Sequence, residues 1–368
     1  MEKGNQVLIK QAKLMASNPS ERTICARLMN DRFALCLPRE EFDEKRVADS
    51  IKELQREFSG NSFHLHTYMG VYEIRDRDEA VSIMVDKANI AADTIKNNYD
   101  CCVAYYDEHL LEISIEQRRL LGEFEPALQN DEFVMYLQPQ VKRDGAAKGA
   151  EALVRWVHPS RGILTPYAFI DILENAGLIY KLDLYIWEKA AQKLAEWKEK
   201  GYGSYHISVN ISTKDFYIID IYETFTGLIN KYGIAASNLH LEITETTLMT
   251  DFEKNMNIIH KLQGVGFRVE IDDFGSGYSS LNMLKDISAD VLKIDMGFLR
   301  KSENEVKGQD ILESIITLAG KIGMDVITEG VETKKQLDML TMMGCHEFQG
   351  YYFSKPVPVS EFEEKYLV

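Results

Sequence analysis

"EFVMYLQPQVKRDGAAKGAEALVRW", residues 132–156, decides the fold. Two apolar, strand-like runs flank "VKRDGAAKGA" (141–150), which is too short for a crossover helix. Parallel neighbours need a connection of a dozen residues or more, so these two strands are expected to pair antiparallel through a hairpin loop. Downstream, the runs "YHISVNIS", "NLHLEITETTLM", "FRVEIDDFG", "DVLKIDMGF", "MDVITEGVET" and "HEFQGYYFS" alternate with helical patterns. Two of those patterns, "LDLYIWEKAAQKLAEWKEKG" and "DILESIITLAGKIG", end on a glycine stop. Eight strand candidates separated by helices over about 250 residues predict a modified (β/α)8 TIM-like barrel with an antiparallel first strand.

The rest of the chain bounds this reading. At 368 residues it has room for about two domains. Residues 1–111 form a smaller N-terminal α/β unit by pattern. "TICARLMNDRFALCLP" reads as a strand pair turning at Met29-Asn30-Asp31-Arg32, with helices at 40–58 and 78–97 and strands at about 63–74 and 101–106. "EISIEQRRLLGEFEPALQ" (112–129) is a helical connector into the barrel, which spans 120–368. It has no Pro/Gly/Ser-rich stretch, so a stiff junction is expected. With 58 acidic and 42 basic residues the formal charge is −16. That balance argues against DNA or RNA as a partner, since non-specific binding relies on Lys and Arg neutralising phosphates. The five cysteines, Cys25, Cys36, Cys101, Cys102 and Cys345, show no CxxC spacing and read as reduced thiols of a cytoplasmic protein. No apolar run approaches ~20 residues, so no membrane span is expected. "MEKGNQVLIKQAKLM" lacks a signal-peptide core and reads as an amphipathic helix.

A barrel of this kind carries its chemistry at the C-terminal ends of its strands. There the sequence places Glu151 on the second strand, Asn210 on the third, Glu242 and Glu245 on the fourth, and Asp272 and Asp273 on the fifth. Lys293 and Asp295 follow on the sixth, Glu329 and Glu332 on the seventh, and Gln349 on the eighth. Taken singly, each reads as a surface charge at a loop start; in this order, together, they do not. Carboxylates converging on one mouth repel one another unless cations lie between them. Oxygen donors without His or Cys select Mg2+ or Mn2+ rather than Zn2+. Asp272 and Asp273 are therefore expected to share two metal ions, and two ions ~4 Å apart clamp an in-line displacement at phosphorus. Phe133, Met135 and Leu137 read as core, and His158 as a structural turn residue. Tyr351 and Tyr352 read as rim packing or as stacking surfaces for a base.

The motifs "EALVR" (151–155), "SVNIS" (208–212), "EITE" (242–245), "DDFGSGYSSL" (272–281), "KIDMGF" (293–298), "EGVE" (329–332) and "QGYYFSKP" (349–356) resemble the motif set of the EAL domain. The resemblance runs from about 120 to 368 and implies a cyclic di-GMP phosphodiesterase that yields linear pGpG. It implies Glu151, Asn210, Glu242 and Asp272 on a first metal, with Asp272 bridging to a second that Asp273 holds. Lys293 is then the lysine near the attacking water, and Glu329 the general base or a ligand through water. Glu245 organises the loop after Asp273, Glu332 supports the site, and Gln349 holds water or substrate. Gln138 and Arg155 contact the ligand, with the Arg155 fork suited to phosphate; Tyr278, a substrate-binding candidate, reads like Tyr351 and Tyr352 as a stacking surface for a base or as rim packing. Ser276 stands where threonine is more usual. The resemblance further implies two Mg2+ or Mn2+ ions per site, inhibition by the larger Ca2+, and a homodimer formed near the helix after "DDFGSGYSS".

"ARLMNDRFALCLP" resembles the hairpin of a GGDEF domain, the fold that makes cyclic di-GMP from GTP, and "VDKANIAADTIKNN" (85–98) resembles its last helix. Here the motif reads Met29-Asn30-Asp31-Arg32-Phe33. Both glycines that admit GTP are replaced, and Arg32 stands in the acidic fourth place. "SERT" (20–23) offers no inhibitory RxxD match. A partial, degenerate unit without cyclase activity is expected, passive or regulatory. Two further readings compete with the enzyme: a non-hydrolysing cyclic di-GMP receptor, which as a rule loses metal ligands, and a protein scaffold, which leaves the carboxylate cluster unexplained.

Overall fold

The computed structural model describes residues 2–16, 20–58, 65–96, 101–274, 287–295 and 305–367. They divide into two compact units, 1–119 and 120–368. In the first, Ile24–Arg27 and Phe33–Cys36 pair antiparallel. Their turn is closed by the Arg32 N–H donating to the Met29 carbonyl (3.1 Å), with Asn30 at φ 59°, a conformation asparagine tolerates. The first helix is Glu2–Ala16. Those expected at 40–58 and 78–97 are Glu44–Phe58 and Val81–Thr94, a single 3-10 turn at Arg39–Glu41 preceding the former. Met69–Val71 and Val103–Tyr105 are the paired, parallel parts of the two expected strands. Helix Val81–Thr94 lies so close to this pair that a Cβ on Gly70 would fall 1.8 Å from the Ala88 carbonyl oxygen.

Helix Glu108–Gln129 begins four residues ahead of the expected 112, because Asp107 caps it by accepting the Leu110 N–H (3.0 Å). Eight barrel strands follow: β1 Phe133–Lys142, β2 Ala147–His158, β3 His206–Ile211, β4 Leu239–Thr244, β5 Val269–Asp272, β6 Val291–Asp295, β7 Asp325–Glu329 and β8 Glu347–Phe348. β1 and β2 are antiparallel, joined by a tight turn in which Gly145 at φ 86° donates to the Lys142 carbonyl. From β2 to β8 every neighbouring pair is parallel. β8 then closes on β1 antiparallel, so the one reversed strand is the expected one. The helical stops also hold: Ile179–Glu199 and Glu305–Lys321 both end at glycines with positive φ, Gly201 and Gly323.

The apolar core lies between the strands and the outer helices. Phe133 is buried against Trp156, Phe169 and Phe124, with ring centroids 4.8–5.7 Å apart, each such ring contributing roughly 1.5–3 kcal/mol by leaving water. Met135 and Leu137 are buried too. His158 holds the end of β2: its Nδ1 accepts the Ser160 N–H and its Nε2 donates to Glu123 (3.0 Å).

Candidate active site

Side chains alternate across a strand, so residues two apart on one barrel strand share the interior. The interior positions nearest the C-terminal ends of the strands converge on one group, the Lys293 ammonium. Lys293 is fully buried. Its Nζ lies 2.6 Å from Glu329 Oε1, 2.8 Å from Glu242 Oε2, 3.4 Å from Asp272 Oδ1 and 3.5 Å from Glu151 Oε2. Four carboxylates from β2, β4, β5 and β7 thus share one ammonium from β6. Amide groups complete the ring. Asn210 on β3 donates to Glu151 Oε1 (3.1 Å), and Gln349 just after β8 donates to Glu151 Oε2 (2.5 Å). The Gln349 amide also reaches Gln138 on β1 (3.2 Å), whose own amide donates to the Ser354 carbonyl (3.3 Å).

Charge crowding sets the proton affinities. Burial, then the Glu151 charge, pushes the Glu242 carboxyl well up against the pull of Lys293. Burial opposes the charge on Lys293, but Asp272, Glu151, Glu242 and Glu329 together outweigh it and raise its pKa well above the ordinary range. Glu329, which keeps 19 % of its side chain exposed, is pushed up to about 8, mainly by burial and helped by Asp272 and Glu151. On the rim, Asp273 is raised by partial desolvation and by the Asp272 and Asp295 charges. Asp273 has φ 56° and donates its N–H to Asp272 Oδ1 (2.8 Å). A left-handed backbone at an aspartate is uncommon, and here it turns the chain sharply at the end of β5.

Glu151, Asn210, Glu242, Asp272, Lys293, Glu329, Gln138 and Gln349 are thereby joined in one contact network. Arg155, further up β2, is half-buried, lies 5.4 Å over the Tyr136 ring, and donates to the Val154 carbonyl (2.8 Å). Glu245 begins the helix Glu245–Thr250 directly after β4. Glu332 is exposed, and its N–H donates to Gln336 Oε1 (2.9 Å) within the cap of helix Lys334–Met342. Tyr278, Ser276 and the helix read as a dimer contact lie outside the described residues.

The donors present fit hard divalent ions. All are oxygens, contributed by Glu151, Asn210, Glu242 and Asp272, with Asp273 beside them. Among the described residues Glu242 Oε1 is buried without a hydrogen-bond partner, which leaves it lone pairs to offer a cation. The sequence reading missed what lies directly beneath: Glu270, His240, His206, Ser208 and Gln140, all buried. The signal was present, since "HISVN", "HLE" and "EID" each carry a polar residue two positions before a mouth residue.

Residues 122–356 match the EAL domain family, and residues 1–100 match the diguanylate cyclase GGDEF domain. The bifunctional diguanylate cyclase/cyclic di-GMP phosphodiesterase MucR of Pseudomonas aeruginosa is 30% identical over 97% of this chain and 53% of its own length. The cyclic di-GMP phosphodiesterase PdeR of Escherichia coli (strain K12) is 33% identical over 65% of this chain and 36% of its own. The chain thus spans about half or less of these relatives. The solved PaMucR phosphodiesterase in its c-di-GMP complex superposes with TM-score 0.63 at 33% identity, covering 66% of this chain and 99% of that one. With a match that takes in most of the barrel and its mouth residues, the chain belongs to the EAL domain family.

Proposed function

We propose that the barrel hydrolyses cyclic di-GMP to linear pGpG. The observation that carries this reading is the ring of Glu151, Asn210, Glu242 and Asp272 about Lys293, on a barrel 33% identical to a phosphodiesterase solved with c-di-GMP. Glu151, Asn210, Glu242 and Asp272 would hold one Mg2+ or Mn2+, with Asp272 and Asp273 on a second. When bound, the ions polarise the phosphodiester and acidify the attacking water. The chain's own groups do the rest. Glu329, whose carboxyl is pushed up to about 8, has the proton affinity suited to a base near neutral pH and takes the proton of the water as it attacks phosphorus. Lys293 holds Glu329 and Glu242 in place and offsets the charge that builds on the phosphoryl oxygens. The P–O3′ bond breaks, and solvent protonates the departing 3′ oxygen. Arg155 pairs with the phosphate that is not cleaved, while Gln138 and Gln349 orient the macrocycle. Ca2+, larger and loosely coordinated, is expected to occupy the site without supporting turnover.

The N-terminal unit is proposed to be a non-cyclising regulatory module, since Arg32 stands in its hairpin where the chemistry needs an acid. A cytoplasmic homodimer is the proposed state of the chain. No helix among the described residues is long and apolar enough to cross a membrane. The test is production of pGpG by the purified chain with Mn2+ or Mg2+, with Asp273→Ala in parallel. Metal-dependent turnover that the variant loses supports the reading. Tight binding of cyclic di-GMP without turnover replaces it with the receptor reading.

A further inference from the structure

Beneath the Lys293 ring lies a second polar layer that the proposed chemistry does not use. Glu270 on β5 is completely buried. Its Oε1 accepts the Ser208 hydroxyl from β3 (3.1 Å) and the His240 Nδ1–H from β4 (2.6 Å). His240 Nε2 reaches the Ser237 carbonyl (3.2 Å). Both partners of this imidazole are acceptors, so both of its ring nitrogens face oxygen atoms of the protein. The His206 ring stacks on it, centroids 3.8 Å apart and planes 3° from parallel, and His206 Nε2 donates to Gln140 Oε1 (2.7 Å). His206, His240 and Glu270 have ligand-type atoms within 4.8 Å of one another, but the trio is not arranged as a metal site. Both His240 nitrogens already face the Glu270 and Ser237 oxygens, and two parallel rings cannot both hold one ion in plane.

The placement of these groups carries more information than their identity. Ser208, His240 and Glu270 lie two residues before Asn210, Glu242 and Asp272 respectively, on the same three strands and the same interior face. One carboxylate oxygen therefore ties together the three adjacent strands that present three of the four oxygens proposed for the first metal. The geometry points to Glu270 as a positioning residue: through Ser208 and His240 it clamps β3, β4 and β5 at the separation that lets Asn210, Glu242 and Asp272 bind one divalent ion together. Burial pushes the Glu270 carboxyl up, but the His240 hydrogen bond and the charges of His240 and Lys293 outweigh it and hold it below its ordinary value. On the fourth ligand strand, β2, the place two residues before Glu151 is Gly149. A Cβ there would lie 2.4 Å from the His206 ring, and the missing side chain makes room for the stack that backs the clamp.

This inference rests on the metal-site reading above, and the test separates the two. Mn2+ affinity of the full chain is read from the free-Mn2+ EPR signal, alongside melting in EDTA and turnover of cyclic di-GMP. Groups that orient metal ligands change affinity by about 10–100-fold when removed. Glu270→Leu is expected to weaken Mn2+ binding at least about tenfold, and Ser208→Ala about threefold or more, in folded protein. Glu270→Gln, whose amide oxygen still accepts from both partners, is expected to stay within about threefold of the parent. Glu270→Leu binding Mn2+ within about twofold of the parent overturns the clamp, and so does Glu270→Gln as weak as Glu270→Leu, which makes charge the agent. Should Glu270→Leu fail to fold, Ser208→Ala decides by the same twofold limit. A parent that binds Mn2+ but makes no pGpG sinks the enzyme reading and leaves the clamp to be judged on affinity. A parent that binds no Mn2+ sinks both.

Discussion

Replacing Lys293 with methionine removes the one cation, among the described residues, that the buried Glu151 and Glu242 and the partly buried Asp272 and Glu329 share, and changes side-chain volume little. At an effective dielectric of 20, a charge pair 2.8 Å apart, the Lys293–Glu242 distance, is worth about 6 kcal/mol before desolvation. The net effect is smaller. The ammonium had to leave water, and Glu242 and Glu329, both with raised pKa values, respond by keeping their protons. Removing one partner of a buried ion pair costs about 3–5 kcal/mol. For a unit the size of this barrel each kcal/mol is worth about 2–4 °C in Tm, so Lys293→Met should melt roughly 6–20 °C below the parent in EDTA. Divalent ions supply the missing positive charge, so saturating Mn2+ should recover most of that gap. Recovery is not expected for turnover, because the methionine neither holds Glu329 nor offsets phosphoryl charge. Turnover should fall by about a hundredfold or more even in metal-saturated, fully folded protein. The assay is differential scanning fluorimetry with EDTA and with Mn2+, paired with pGpG production. A Lys293→Met protein that melts with the parent in EDTA would show that the ammonium is not the counter-ion of the cluster, and the electrostatic account of the mouth would fail.

Three more outcomes follow from the same geometry. Glu151 accepts from Asn210 and Gln349 and pairs with Lys293, so Glu151→Gln should keep the fold yet lose metal-dependent turnover by more than about a hundredfold; near-parental rates would remove it from the site. In EDTA, stability should fall from pH 6.5 to 8. Glu329 binds its proton more tightly folded, at about 8, than at its ordinary 4.5, so its contribution is full below 4.5 and is lost as pH rises through 8. Over that 1.5-unit window the loss is at most about 2 kcal/mol. His206, kept neutral by burial, gives an opposing gain only as pH rises through its ordinary 6.5; a chelated Tm flat or rising between 6.5 and 8 contradicts the assignment. Finally, Gly149→Ala should destabilise by about 1–3 kcal/mol through overpacking against His206. The penalty should largely vanish in a His206→Ala background, and additive costs in that double-mutant cycle would refute the contact.

The barrel was legible because its signals are local. Strand length, helix period and glycine stops repeat along the chain, and the short 141–150 connection allows only a hairpin. The carboxylate ring was legible because carboxylates at strand ends are costly without a reason. Two things were not visible. That Lys293 would lie among all four carboxylates depends on the stagger of β6 against β2, β4, β5 and β7, which no local pattern encodes. The lower layer was hidden because His240 and Glu270 each stand inside an apolar run, in "NLHLEI" and "RVEID", where a lone polar residue reads as a strand's solvent side. In a closed barrel that side is the interior.

The reversed first strand explains a further irregularity. On β3, β4 and β5 the chain climbs toward the mouth, so the lower-layer residue comes first: Ser208 before Asn210, His240 before Glu242, Glu270 before Asp272. β1 runs down from the mouth, with Gln138 opposite Glu151 and Gln140 opposite Gly149. It therefore delivers its mouth residue first and its lower residue second. The same two layers are written in opposite order in the sequence, and any search for one repeating strand motif fails on β1. Both residues that β1 contributes are glutamines, groups that donate and accept without adding charge. Each meets a residue that needs such a partner: Gln138 the Gln349 amide, Gln140 the neutral His206 imidazole. An ionised acid at position 138 would add one more negative charge beside Glu151, in a ring where, among the described residues, a single lysine already faces four carboxylates. Charge economy inside a sealed barrel thus accounts for an amide there, where β2, β4, β5 and β7 carry acids.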